Sequence, residues 1–167
     1  AVLNVSEDHM GLGGIHTLED LAEVKRIIVE VAKDTAVLNA DDPLVLKMAD
    51  YSPAKHICYV TLDAQHPLVK EHIRLGHRAI VLEQADHGET ISIFDKGQHI
   101  PLIRPQLIPA TMEGKAQHNI QNAMFVAAMA YSLGKSLDDI RQGLRTFDMS
   151  FSQTPGRNNV YDEHGFR

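Results

Sequence analysis

Ala36-Val37-Leu38-Asn39-Ala40-Asp41-Asp42-Pro43 is a short apolar run that breaks into polar residues and a proline. Ala36 to Asn39 reads as a strand. Asp42-Pro43 has the form of a helix N-cap followed by proline in the first helical position, where a missing N–H costs nothing. The helix so begun runs to about Tyr51, where Ser52-Pro53 ends it. A strand passing directly into a helix is the repeating unit of a layered α/β fold, and the same alternation extends both ways from this stretch.

Upstream, residues 1 to 5 (Ala-Val-Leu-Asn-Val) read as another strand, followed by the loop Gly11-Leu12-Gly13-Gly14. Thr17 and Asp20 have the spacing of a capping box, and Leu21, Val24, Ile28, Val31 and Ala32 form the stripe of a helix to about residue 33. Downstream come a strand at Ile57 to Leu62, a helix at His66 to Leu75 stopped by Gly76, and a strand at Arg78 to Glu83. Thr90 to Phe94 and Gln98 to Ile103 flank the turn Asp95-Lys96-Gly97 as a hairpin, with a third strand expected at Leu107 to Ala110. Gln117 to Leu133, rich in alanine and methionine and apolar nearly all round, reads as a helix buried between layers and ended by Gly134. Ser136 and Asp139 cap a last helix carrying Leu137, Ile140, Leu144 and Phe147. Ser150 to Pro155 is polar and turn-rich, like a linker. The expected fold class is α/β with a partly mixed sheet.

The chain has 167 residues, with 16 Lys and Arg against 22 Asp and Glu, for a net charge of −6. That balance speaks against a protein that coats nucleic acid or an anionic membrane, while leaving room for a local phosphate site. The single cysteine, Cys58, lies in the strand-like run Ile57-Cys58-Tyr59-Val60 and reads as inert core. No stretch approaches 18 apolar residues and no leader is visible, so the expected location is the cytoplasm. The apolar start and the turn-like finish at Asp162 to Arg167 are expected of an excerpt from a longer enzyme.

Five places could carry chemistry. Asn4-Val5-Ser6-Glu7-Asp8-His9 follows a strand, where open α/β sheets place their crevices. It reads either as a solvated capping turn or as a ligand or divalent-metal site, with His9 as nitrogen donor and the carboxylates as oxygen donors. Lys25 lies on or beside an apolar helix stripe. It either snorkels to water or is a reactive amine, open to carboxylation to a carbamate that would ligate magnesium. Asn39 ends its strand at the crevice edge with an amide able to read a ligand. His118, Asn119 and Asn122 begin the apolar helix, either satisfying backbone groups or facing a ligand. Arg157, after Pro155-Gly156, is a surface residue or a phosphate clamp between domains. No P-loop, serine elbow or Cys/His pair is present.

Taken in order, Asn4 to His9, Lys25, Asn39-Ala40-Asp41-Asp42, Gly114 with His118-Asn119-x-x-Asn122, and Pro155-Gly156-Arg157 resemble the Mur ligase family. Asp8 to Gly14 and Gly156 to Asp162, running into Gly165-Phe166-Arg167, resemble its cyanophycin-synthetase branch more narrowly. The resemblance implies that residues 1–154 are the second half of a central ATP-binding domain, its P-loop half lying upstream. Residues 155–167 would be a linker and the start of a C-terminal ligase domain. It implies ATP and Mg2+ as cofactors, His9 and Lys25 as catalytic and metal-binding residues, and Asn39, His118, Asn119, Asn122 and Arg157 as nucleotide-binding ones. The implied reaction activates a carboxylate as an acyl phosphate, from which an amine displaces phosphate to form an amide. In that branch, arginine is added to poly-aspartate. The implied partner is an amino-acid or peptide-like substrate, with no nucleic acid or membrane, and with a homo-oligomeric parent left open. The excerpt alone is expected to be inactive. A peptidoglycan-type ligase and a noncatalytic domain derived from one are the alternatives.

Overall fold

The computed structural model describes residues 1–7, 11, 13–86 and 88–147. Five strands make one sheet in sequence order: β1 (Thr35–Asn39), β2 (His56–Thr61), β3 (Ala79–Ala85), β4 (Gly88–Asp95) and β5 (Gln98–Ile103). The first three are parallel, and β3, β4 and β5 form an antiparallel meander, so the sheet is mixed as expected. The opening residues join the sheet through one parallel bridge, Val2 to Leu38, rather than a full strand. Val2 N–H donates to Val37 O at 3.0 Å, and Asn39 N–H donates to Val2 O at 3.3 Å.

Period-two alternation divides each strand between two cores. Val37, Cys58, Val60, Ile80, Leu82, Ile91 and Ile93 pack toward α4 (Gln117–Ser132) and α5 (Leu137–Thr146). Ala36, Leu38, Tyr59, Ala79 and Val81 pack on the other face toward α1 (Leu18–Glu30), α2 (Pro43–Leu46, continued by a 3-10 turn to Tyr51) and α3 (Pro67–Arg74). Three layers result. Cys58 lies wholly inside, where burial pushes its thiol up to about 12, as an inert core cysteine requires.

Helix starts follow their capping chemistry. Thr17 accepts the Asp20 N–H while the Asp20 carboxylate accepts the Thr17 N–H, which makes the capping box. Ser136 accepts the Asp139 N–H at the head of α5.

Three further expectations need correction. Leu107 to Ala110 is not a strand: 3-10 turns occupy Pro105–Leu107 and Pro109–Thr111. Each turn opens on a proline, which fixes φ and has no N–H to give a ladder. Helix α4 is not covered all round, since Val126, Met129 and Leu133 are exposed. The apolar stripe of α1 turns only partly inward: Leu21 is buried, whereas Val24, Ile28 and Val31 are exposed, together with Ile27.

Candidate functional site

The carboxyl ends of the parallel strands lie on one side of the sheet, and short-range bonds lace them together. Asp42 does two jobs there. One oxygen accepts the Leu44 and Val45 N–H groups and so caps α2, and the other accepts the Val5 N–H at 2.7 Å. Asp41 accepts the Thr61 hydroxyl and the Leu62 N–H, the latter at 2.8 Å, so it fastens the end of β1 to the end of β2. An open cleft beside them is lined by Ala40, Asp41, Pro43, Leu62, Asp63 and His66.

Asn39 is buried at the centre of this edge. Its Nδ2 donates to Leu3 O at 2.7 Å, and its Oδ1 accepts the Asp41 N–H at 2.9 Å and the Gln121 Nε2 at 3.5 Å. The amide expected at a ligand's edge thus holds the opening segment, the strand end and α4 together. Lys25 reaches the same segment from α1, its Nζ donating to Asn4 O at 3.0 Å. The residues around Leu3 and Asn4 are therefore the meeting point of α1, β1 and α4.

Helix α4 enters this crevice from an unusual turn. Met112, Glu113 and Gly114 all have positive φ, at 54°, 58° and 80°. The preceding Thr111 is fully buried. Its hydroxyl lies 2.6 Å from Pro105 O and 2.8 Å from Ile108 O as donor, and it accepts the Gly114 N–H at 3.0 Å. Asn119, in the first turn of α4, donates from Nδ2 to Ala110 O at 2.7 Å. Its neighbours His118 and Asn122 are exposed.

Lys25, Asn39 and the start of α4 thus come to one end of the sheet, whereas His9 and Arg157 lie outside the described residues, as does the whole of 155–167. Among the described residues no three His, Cys, Asp or Glu side chains gather as a metal cage. Sequence reading missed Thr111 and Gln121 as builders of the crevice. Gln121 carried a signal, being polar between Asn119 and Asn122 on an apolar helix; Thr111 carried none. Among the described residues no helix is long and apolar enough to cross a membrane.

A mixed sheet with its polar crevice at the parallel strand ends is the architecture of an open α/β ligand-binding domain. Residues 1–130 match the Mur ligase middle domain, and the chain belongs to that family. A cyanophycin synthetase of Synechocystis sp. is 42% identical over 163 residues, covering 96% of this chain and 18% of the relative. One from Geminocystis herdmanii is 40% identical over 167 residues, covering 99% and 18%. A UDP-N-acetylmuramoylalanine–D-glutamate ligase of Clostridioides difficile is 30% identical over 149 residues, covering 88% and 28%. The chain spans less than a fifth of the length of the synthetases it matches.

Proposed function

We propose that this chain is part of the ATP-binding domain of an amide ligase of the cyanophycin-synthetase type. The observation that carries this reading is the convergence of Lys25 on Asn4 and of Asn39 on Leu3 and Gln121, which puts a lysine and the asparagine-bearing helix at one crevice. In this reading residues 1–154 belong to the central domain and 155–167 lead into the ligase domain.

The reaction has two steps. A substrate carboxylate attacks the terminal phosphorus of ATP, releasing ADP and leaving an acyl phosphate. An incoming amine then attacks the acyl carbon, inorganic phosphate leaves, and an amide remains. The branch suggests arginine as the amine and an aspartate side chain of poly-aspartate as the carboxylate. Magnesium supplies charge neutralisation to the phosphates when bound. This chain's own residues have narrower roles. In this reading His118 and Asn122, exposed at the start of α4, would face the nucleotide, with Asn119 beside them. Asn39 holds the crevice edge rigid, which keeps the reacting groups oriented. As an ammonium group Lys25 would add positive potential at the end of the opening segment. As a carbamate it would be an anionic ligand, and His9 would share the metal.

The test is to measure ADP and amide together in the intact protein carrying this chain, with poly-aspartate and arginine. One ADP released per amide formed is expected. ADP release without amide, or no response to arginine, would overturn the reading. Turnover with a UDP-muramoyl-peptide acceptor instead would favour a peptidoglycan-type ligase, the reading supported by the D-glutamate ligase similarity.

A further inference from the structure

We infer that Thr111 is a positioning residue of the nucleotide site, acting through the left-handed turn Met112-Glu113-Gly114 that launches α4. The inference rests on the ligase reading above.

Two non-glycine residues in succession with left-handed backbone are uncommon, because the side chain crowds the following carbonyl. Such a conformation persists only where the surroundings over-determine it, and it clusters at working sites. Here the surroundings are specific. The Thr111 hydroxyl sits in a fully buried pocket of backbone, with Pro105 O and Ile108 O on one side and the Gly114 N–H on the other. It thereby joins the two 3-10 turns to the far end of the left-handed turn. At Gly114 a Cβ would stand 3.3 Å from the Gln106 side-chain amide, at a φ that L side chains rarely adopt. Ala116 N–H then returns to Thr111 O at 2.9 Å, so the same residue grips the turn by side chain and main chain.

The residue at the head of α4 gives no help. Ala116 has no side-chain cap to set where the helix starts. The helix origin is fixed instead from behind, by Thr111 and by Asn119 on Ala110 O. His118 and Asn122 follow within two turns, so any rotation of the origin moves both. Thr111 touches no ligand in this account. It decides the angle at which those side chains are offered.

The experiment uses the intact protein carrying this chain and reads the KM for Mg-ATP, the KM for the amine substrate and the melting temperature. Thr111→Val keeps the shape and removes the hydroxyl. It is expected to raise the KM for Mg-ATP about tenfold with the amine KM unchanged, and Thr111→Ser, which keeps the hydroxyl, to restore it. A merely structural threonine would lower the melting temperature in Thr111→Val without moving the ATP KM selectively; that result overturns the inference. Should Thr111→Val not fold, Gly114→Ala displaces the same turn from its exposed side and is expected to give the same selective rise. An unmoved ATP KM there overturns the inference equally. A wild-type protein without affinity for Mg-ATP overturns the ligase reading and this inference together, whereas wild-type affinity matched by both variants overturns this inference alone.

Discussion

Arg78 and Asp95 meet at 3.0 Å at the edge of the α4 layer, with only 16% and 13% of their side chains exposed. Arg78 also donates to the Ser132 hydroxyl and lies over the Tyr131 ring, whose own hydroxyl donates to Asp95. Their shielding makes this pair unlike the exposed ones on α1 and α3, which contribute little. Asp95→Ala is expected to destabilise by about 3 kcal/mol, because a cation is left buried without its partner. Replacing both by apolar residues should recover most of that loss. Urea unfolding of the single and double variants checks it; an Asp95→Ala protein as stable as wild type would contradict the network.

Asn39 offers a second expectation. Asn39→Ala removes the bond to Leu3 O and orphans the Asp41 N–H, at a cost of about 2 kcal/mol. Gln121→Ala, which loses only the 3.5 Å contact, should cost less than half of that. Denaturation midpoints at constant m-value would show the order, and equal costs would mean that α4 is not held through Asn39 in the way described.

His72 is half-buried between the Tyr59 ring and the exposed His77, with its Nε2 at 3.0 Å from Ile57 O. Burial pulls its pKa below the ordinary 6.5, outweighing the carbonyl contacts that favour the charged form. The folded protein therefore binds the proton less readily than the unfolded chain. Its contribution to stability is full above about pH 6.5 and is lost as the pH falls from there through the folded value. His72→Gln should flatten the decline in unfolding free energy below pH 6.5. An unchanged slope would assign that decline to other groups.

Lys25→Ala, in the intact protein, is expected to lower kcat on the order of 100-fold through lost stabilisation of transferring charge, with little change in the KM of the amine. Steady-state ADP release resolves the two parameters. A change confined to the amine KM would move Lys25 out of the chemistry.

Element order was legible because caps and punctuation are local. Thr17 with Asp20, Asp42 before Pro43, and Gly76 and Gly134 after their helices can be read without knowing any distant partner. The failures share a cause. Pro105 and Pro109 sit at both margins of an apolar stretch that otherwise looks extended, and proline's missing donors decide against pairing. The stripe on α1 announced a helix but could not say which part of it would meet the sheet, so Val24 and Ile28 turned outward. The bond from Asn39 to Leu3 was not legible either, because the two lie 36 residues apart and no spacing rule connects them. Thr111 was invisible for the same reason, as its importance lies in three backbone groups brought together by two turns.

The change from parallel to antiparallel pairing at β3 also sets an order of assembly. The meander β3–β4–β5 is joined by tight turns, so its strands can find one another in microseconds with little loss of chain entropy. Each parallel pairing must instead wait for a helical crossover to collapse beneath it. During synthesis the portion of the crevice made by β1 and β2 emerges first, yet it gains its third parallel neighbour only when β3 arrives. The last-made hairpin becomes the platform on which the earlier-made strands settle, and the ribosome hands over the crevice edge before it hands over the scaffold that steadies it.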